Sequence, residues 1–347
     1  MITQDAVLAV LKTVKYPGYS RDIVSFGLVK DIQIEGNAVG VLIELTTANQ
    51  ELGNQIADAA RLALRDRIEG LIDAHVQIRV PTPQQAAAAS GLTAKNKIPG
   101  LNRVIAIASG KGGVGKSTCS VNLACALRQL GATVGLLDCD IYGPSIPLMM
   151  GLNQRPGLTA DEKLIPPVAH GVKLMSMGFL IEGDQPVIWR GPMIQKTIQQ
   201  FIHQVDWGTL DYLLVDLPPG TGDAQLSLCQ IVPLDGGVIV TTPQEASLGV
   251  VRKGVAMFEK VNVPILGIVE NMSYFTAPDG SRVEIFGHGG GKAEAARKGV
   301  PFLGEVPLFT AIREGGDTGV PVVVSAPESA PGRAFLEIAR TLRTILA

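Results

Sequence analysis

A glycine-rich turn between an apolar run and a helical segment limits the fold of this chain more than any other feature. Residues 108–127 read ASGKGGVGKSTCSVNLACAL, and the apolar run VIAIAS leads directly into the turn. Glycines let the backbone curl until successive N–H groups point at one anion, and the following helix N-terminus adds partial positive charge. The pattern Gly110-x-x-x-x-Gly115-Lys116-Ser117 in this strand–turn–helix context predicts a phosphate-binding loop. Lys116 would then face the β- and γ-phosphates of a nucleotide, and the Ser117 hydroxyl would ligate Mg²⁺.

Short apolar runs alternate with helical stretches after the turn. VIAIAS, TVGLLD, YLLVD, GGVIVTT and PILGIVE are nearly continuous in apolar residues. Such runs are typical of parallel strands that are covered on both faces. Residues 101–347 are therefore predicted to form an α/β domain with a doubly wound, mostly parallel sheet.

A smaller α/β domain is predicted over residues 1–82. Val7 and Leu11 lie on one face of a first helix, and an EGN turn separates two β-rich stretches, which indicates a hairpin. A second helix from about Asn49 to Gly70 and the strand AHVQIRV complete this unit. Residues 83–100, with prolines and an alanine tract, are predicted to be a linker. The alanine tract extending a helix is the alternative.

Composition excludes several classes of protein. The net charge is −2 and aromatic residues make up 5%, which argues against a nucleic-acid partner. No apolar run reaches the roughly 18 residues of a membrane span, and Asp5 interrupts the N-terminal segment where a secretory signal would be apolar. We therefore expect a cytoplasmic protein with no membrane partner. The four cysteines, Cys119, Cys125, Cys139 and Cys229, form no C-x-x-C pair, and each is expected to be a small buried apolar residue.

The loop has a second lysine directly after its first glycine. In this respect GKGGVGKS resembles the deviant phosphate loop of the MinD/ParA-like ATPases. The resemblance implies ATP as the nucleotide and a homodimer in which Lys111 reaches the partner's nucleotide. There it would neutralise charge on the transferred phosphoryl group, as an arginine finger does.

Two strand ends carry aspartates that the same resemblance assigns to the nucleotide. In GLLDCDIYGPS, Asp140 is implied to orient the attacking water, with Asp138 supporting it near Mg²⁺. In YLLVDLPPGTGD, Asp216 is placed like the carboxylate that holds Mg²⁺, and Gly220 lies where a second switch senses the γ-phosphate. The catalytic residues implied are Lys111, Lys116 and Asp140, and the Mg²⁺ ligands implied are Ser117 and Asp216. An aspartate here could instead be a helix N-cap.

The base of the nucleotide is assigned by resemblance as well. Asn271 follows the strand GIVE on the side where α/β sheets bind ligands, and it is implied to hydrogen-bond the adenine edge. An asparagine in such a turn is common without that role, and residues 305–316 either close over the base or simply pack. The residues predicted to contact ATP are Gly110, Lys111, Gly112, Gly113, Val114, Gly115, Lys116, Ser117, Thr118 and Asn271.

Longer strings resemble one branch of these ATPases. DCDIYGPSIPLMMG, DLPPGTGDAQLSLCQ, VTTPQEASLGVVRKG and ENMSYF followed by IFGHGGG are similar to the Mrp-type, or ApbC-type, iron–sulfur cluster carriers. DIVSFGLVKDI resembles the SufT-like unit that precedes the ATPase in many of them. The resemblance implies ATP hydrolysis and transfer of iron–sulfur clusters to apoproteins, with these clients and other assembly proteins as partners.

The cluster ligands of that family are missing. A C-x-x-C pair usually follows the NMSYF-like segment, and two subunits then offer the four thiolates of a [4Fe–4S] cluster. Here Ala277 and Gly280 occupy those positions, and Gln50 stands where the front domain often has a cysteine. No Fe–S ligand is therefore predicted, and we expect this chain alone to hold a [4Fe–4S] cluster weakly or not at all. Asp279 and His288 could ligate a metal, although a lone histidine in a glycine-rich loop is more often solvated.

Two alternatives to the carrier remain at this point. One is a nucleotide-switched assembly scaffold that never holds a cluster itself. The other is a MinD/ParA-like positioning ATPase, for which the amphipathic C-terminal segment PGRAFLEIARTLRTILA would serve as a membrane helix. Packing of that segment on the sheet would argue against the second alternative.

Overall fold

The chain divides into two units, Met1–Asn96 and Lys97–Ala347. The computed structural model describes residues 2–15, 22–25, 27–45, 50–68, 70–79, 97–141, 143–180 and 191–347. Most of the linker predicted over residues 83–100 lies outside these ranges, as do Thr46–Asn49 before Gln50. The predicted boundaries of domains and linker stay predictions.

Within its described residues, the small unit contains two helices and a three-stranded sheet. Its elements are α1 (Gln4–Leu11), β1 (Val29–Glu35), β2 (Ala38–Glu44), α2 (Gln50–Arg67) and β3 (Asp73–Arg79). β1 and β2 form an antiparallel hairpin, and β3 lies parallel to β2. Val7, Leu11, Ile43 and Leu64 are fully buried in the core of this unit. The predicted helices, hairpin and final strand are confirmed.

The larger unit alternates strands and helices. Its strands are β4 (Leu101–Ala108), β5 (Val134–Asp138), β6 (Gly157–Leu158), β7 (Leu164–Ile165), β8 (Val168–Ala169), β9 (Val172–Ser176), β10 (Leu210–Asp216), β11 (Gly236–Thr241), β12 (Ile265–Thr276), β13 (Arg282–Val283) and β14 (Phe302–Leu308). Its α-helices are α3 (Lys116–Gln129), α4 (Ile146–Met149), α5 (Gly191–His203), α6 (Asp223–Ile231), α7 (Glu245–Lys260), α8 (Gly290–Lys298), α9 (Thr310–Thr318), α10 (Val322–Ser325) and α11 (Ala330–Leu346).

The main sheet of this unit has the order β13-β12-β11-β4-β10-β5-β9-β8, and β14 pairs with β12. Pairing is parallel from β12 through β9, while β13 and β8 run antiparallel at the ends. Every residue of β5 and β11 is buried, which explains the continuous apolar runs. The predicted doubly wound, mostly parallel sheet is confirmed. Its carboxyl ends bring the predicted site residues of β4, β5, β10 and β12 to one edge.

The C-terminal helix α11 packs into the core. Phe335, Ile338 and Leu342 on its apolar face are at most 2% exposed. This face is therefore already covered by the protein's own side chains. Within the part of the chain that the structure describes, no helix has the length and apolar character to cross a membrane.

Candidate nucleotide site

Glycines shape the phosphate loop for two separate reasons. Gly113 and Gly115 both adopt φ of 79°, which favours glycine. A Cβ on Gly110 would overlap the side chain and carbonyl of Val250, and a Cβ on Gly115 would overlap the Asn271 amide. The loop therefore needs glycine for backbone conformation and for close packing. It leads into α3, whose N-cap is Gly115, so the N-terminal N–H groups of that helix face the same space.

Lys116 and Ser117 converge on Asp216 beneath this loop. The Lys116 ammonium lies 2.5 Å from Asp216 Oδ2, and Ser117 Oγ donates to the same oxygen at 2.8 Å. Both members of the ion pair are buried, with Asp216 at 0% exposed and Lys116 at 6%. Serine hydroxyl and aspartate oxygens are hard donors of the kind that Mg²⁺ takes. The donor set therefore fits the predicted Mg²⁺ site, and the glycine cradle fits a phosphate.

A residue absent from the sequence-based site fixes the remaining oxygen of this carboxylate. Ser120 lies one helical turn after Lys116 in α3, and its Oγ donates to Asp216 Oδ1 at 2.5 Å. Ser120 is fully buried. Its hydroxyl therefore sets the orientation in which Asp216 faces the loop.

We expect Ser120→Ala to lower the free energy of unfolding by about 1.5–3 kcal/mol, because a buried hydrogen bond to a charged group is lost. Urea unfolding of the nucleotide-free protein measures this. Ser325→Ala is the matched control, because its hydroxyl reaches only the Pro321 carbonyl, at 3.4 Å; we expect a change within about 0.5 kcal/mol. Equal losses in both variants would contradict the assigned role of Ser120.

Asp138 and Asp140 follow one strand but lie in different environments. β5 and β10 pair with Asp138 opposite Asp216, and Asp138 is fully buried, where it accepts a hydrogen bond from Ser176 Oγ at 2.8 Å. Burial raises the pKa of Asp138 to about 7, and the neighbouring Asp216 charge adds to the rise. Asp140 is half-buried and accepts from the Gly143 N–H at 3.3 Å. The more accessible of the two is thus the one predicted to orient water, and that role stays a prediction.

The second loop lysine extends away from the Asp216 cluster. Lys111 Nζ lies 3.4 Å from Gln244 Oε1, next to the start of α7. Its backbone carbonyl accepts a hydrogen bond from Ser109 Oγ at 3.0 Å. Its side chain is half-buried, so the ammonium lies at the rim of the loop. Its predicted action on a second subunit is not tested by this geometry.

Asn271 is hydrogen-bonded to the backbone of the phosphate loop. It is 5% exposed, and its Nδ2 donates to the Val114 carbonyl at 2.8 Å. It also lines a pocket of about 250 Å³ beside the loop. The other lining residues are Gly115, Thr118, Leu148, Met149, Met272, Pro307, Leu308, Phe309, Ile312, Arg313, Gly316 and Asp317. Residues 307–316 thus form one wall, and the contribution of α4 was missed because nothing in its sequence marks it.

The hairpin after β12 contains positions 277 and 280, where the family resemblance predicts cysteines. Ala277 and Gly280 belong to one turn, in which the Gly280 N–H donates to the Ala277 carbonyl at 2.9 Å. Asp279 caps the turn by accepting from the N–H and Oγ of Ser281. Hydrogen bonds within the hairpin therefore hold this turn, and neither position has a side chain that ligates iron.

All four cysteines are buried, and none of them forms a disulfide. Burial raises the pKa of Cys119 and of Cys125 to about 12, and it raises the pKa of Cys139 well above its usual value. Thiolate is the form that binds metal, so these side chains are poor ligands where they lie. The expectation that they are buried apolar residues is confirmed.

A parallel α/β sheet with this loop, and with a Lys–Ser–Asp cluster at its carboxyl edge, defines a P-loop NTPase. The ParA family model, described as NUBPL iron-transfer P-loop NTPase, matches residues 100–343, and the chain belongs to this family. Residues 4–78 match the model described as iron–sulfur cluster assembly protein.

Relatives cover nearly the whole chain. An iron–sulfur cluster carrier protein of Synechocystis sp. is 49% identical over 348 residues, which span 99% of this chain and 97% of that protein. An iron–sulfur protein required for NADH dehydrogenase in mitochondria of Arabidopsis thaliana is 51% identical over 259 residues, 74% of this chain and 83% of that protein. The resemblance to iron–sulfur cluster carriers is confirmed.

Solved structures resemble the larger unit. A nucleotide-binding protein of Archaeoglobus fulgidus in complex with ADP is 39% identical, with a TM-score of 0.61 over 70% of this chain and 95% of that chain. The cell division ATPase MinD of Pyrococcus furiosus is 24% identical, with a TM-score of 0.54 over 71% of this chain and 100% of that chain. The second likeness supports the fold alone.

Proposed function

We propose that this chain binds and hydrolyses ATP with Mg²⁺ as a homodimer, and that it delivers iron–sulfur clusters to apoproteins. The observation that carries the proposal is the convergence of Lys116, Ser117 and Asp216 beneath a glycine cradle. Membership in the iron-transfer NTPase family supports the cargo.

In this proposal the loop residues exchange partners when nucleotide binds. Lys116 leaves Asp216 for the β- and γ-phosphates, which frees the Asp216 carboxylate and the Ser117 hydroxyl to hold Mg²⁺. Mg²⁺, when bound, neutralises phosphate charge. Asp140 orients the attacking water, and Lys111 from the partner subunit neutralises negative charge on the transferred phosphoryl group. Asn271 keeps the loop in place and lines the pocket proposed for the base.

The missing thiols favour a second candidate, an assembly scaffold that holds no cluster of its own. Ala277 and Gly280 offer no ligand, and Cys119, Cys125 and Cys139 lie buried with raised pKa values. In the carrier, by contrast, the cluster would need ligands other than the family thiols. The two candidates differ in one measurable quantity, the iron held by the purified dimer.

We expect the unmodified protein to retain little iron and sulfide after anaerobic reconstitution and desalting. Ala277→Cys with Gly280→Cys is expected to raise the content towards about four irons per dimer, since four thiolates hold a [4Fe–4S] cluster. A Cβ added at Gly280 would have no heavy atom within 4 Å. The φ of 83° at this position is left-handed, so a cysteine there would destabilise the fold by about 1–2 kcal/mol.

The double variant Ala277→Ser with Gly280→Ser is the matched control, because it imposes the same backbone strain without thiols. Transfer of iron to an apo-[4Fe–4S] enzyme is then measured with each protein. A full cluster in the unmodified dimer that is passed to the apoenzyme would establish the carrier and overturn the prediction of weak binding. If the unmodified protein transfers no iron to the apoenzyme, the result favours the scaffold.

A further inference from the structure

Two carboxyl groups lie side by side at the carboxyl edge of the sheet, and neither belongs to the Lys116–Ser117–Asp216 cluster. Glu270 on β12 pairs with Glu305 on the neighbouring parallel strand β14. Glu270 is fully buried, and the side chain of Glu305 is 33% exposed. Like charges directly opposite each other on adjacent strands are destabilising. The register of these two strands therefore places two carboxyl groups where a neighbouring positive charge would stabilise the pair.

A histidine and an arginine from the following hairpin and loop meet these carboxylates. The nearest ligating atoms of Glu270, His288 and Glu305 all lie within 4.8 Å of one another. Arg282 Nη2 lies 2.9 Å from His288 Nδ1, and 3.3 and 3.5 Å from the two oxygens of Glu305. A cationic group is thus already held among these donor atoms.

The imidazole is oriented for a cation. Guanidinium can only donate, so Nδ1 of His288 accepts from Arg282 and the ring proton is on Nε2. In this tautomer the Nδ1 lone pair is the one that could bind a metal ion. The distance from His288 Nδ1 to Glu305 Oε2 is 3.8 Å. One imidazole nitrogen with two carboxylates is a donor set that suits divalent first-row transition metals.

The buried carboxylate is fixed in position. Glu270 accepts from the Gly291 N–H at 2.5 Å, from the Gly289 N–H at 3.1 Å and from Ser273 Oγ at 2.6 Å. The same hydroxyl lies 2.9 Å from Glu305 Oε2. These bonds hold the Glu270 carboxylate in place whether or not Arg282 is present, and such fixing of a ligand is the preorganisation that a metal site requires.

Arg282, in contrast to the buried Glu270, lies at the surface. It belongs to the two-residue strand β13 at the end of the sheet, which pairs with Phe275 and Thr276 of β12. Its side chain is 40% exposed, and its guanidinium stacks over Tyr274 at 3.7 Å from the ring centroid. Its departure would break surface contacts and would leave the core intact.

We propose that Glu270, His288 and Glu305 form a binding site for one divalent first-row transition-metal ion, such as Fe²⁺ or Co²⁺, which takes the place of the Arg282 guanidinium. Partial exposure of His288 and Glu305 gives the ion its entry path. The site uses nitrogen and oxygen donors and no thiol. It requires neither ATP hydrolysis nor a cluster, so it stands independently of the proposed function.

The test is titration of the untagged, nucleotide-free full chain with Co²⁺, whose visible spectrum reports its ligands, under anaerobic conditions. Millimolar Mg²⁺ is kept present throughout to compete with Co²⁺ for sites made of oxygen donors alone. We expect one saturable equivalent of Co²⁺. Arg282→Gln should tighten the Kd about tenfold, because a competing positive charge at contact distance is removed.

His288→Ala should weaken Co²⁺ binding by at least about 100-fold, since even the outer partners of metal ligands contribute about 10–100-fold. His203→Ala, an exposed histidine at the end of α5, is the matched control and should leave the Kd unchanged. Because His288 and Arg282 are surface residues, circular dichroism of each variant should match that of the unmodified protein. Absence of saturable binding in both the unmodified protein and Arg282→Gln, or equal affinity with and without His288, would overturn the proposal.

Discussion

Replacing Lys116 by alanine is expected to reduce ATP hydrolysis to background and to weaken ATP binding strongly. In the proposed site the Lys116 ammonium contacts the β- and γ-phosphates, and without it only backbone donors of the loop would remain. Loss of one preorganised electrostatic contact in an active site costs about 10²–10³ in rate. Phosphate release and equilibrium binding of a fluorescent ATP analogue measure the two effects separately.

The buried ion pair requires a control for stability. Lys116→Ala leaves Asp216 uncompensated, and breaking a buried pair from one side costs about 3–5 kcal/mol. Adding Asp216→Asn removes the unpaired charge, so the double variant should regain stability but not turnover. Lys298→Ala, an exposed lysine at the end of α8, should behave like the unmodified protein. Normal turnover in a folded Lys116→Ala variant would refute the nucleotide site.

Replacing Lys111 by alanine is expected to lower the ATP turnover rate by about 10³–10⁵ while ATP binding changes far less. This is the range for loss of a cationic finger that acts only in the transition state of phosphoryl transfer. The ammonium lies at the rim of the loop on Gln244 rather than at Asp216, so its removal leaves the Lys116 cluster intact. Turnover is measured together with nucleotide affinity, at a series of protein concentrations.

Gln244→Ala separates two explanations for such a loss. If Lys111 acts on the partner's nucleotide, removing its 3.4 Å contact with Gln244 should leave turnover nearly unchanged. If Lys111 acts by positioning α7 through that contact, the two variants should be equally impaired. A turnover rate per subunit that stays constant down to concentrations where the protein is monomeric would argue against action across a dimer.

Local chemistry made much of this protein predictable from its sequence. The apolar runs predicted the parallel strands because a strand covered on both faces has no polar side to present. The loop was predictable because the φ of 79° at Gly113 and Gly115 depends on residues next to each other in the chain. The resemblance predicts thiols at positions 277 and 280, and the residue identities Ala277 and Gly280 suffice to show that neither position has one.

Other features depend on which strands lie next to each other. Ser120 is unremarkable in the sequence, and its bond to Asp216 exists because β10 ends beside the first turn of α3. Asn271 was assigned only to the base, yet its amide also holds the Val114 carbonyl, more than half the domain away in sequence. Hydrogen bonds of this kind are set by tertiary packing, so no local pattern marks them.

By itself, then, the sequence determined the sheet and the phosphate loop, because each is encoded by residues that act on their own stretch of backbone. The tertiary structure decided the rest. It joined Lys116 to a carboxylate from β10, and it buried all four cysteines. It also set Glu270 opposite Glu305 with His288 beside them. These arrangements follow from strand order and register, which bring together side chains that are far apart along the chain.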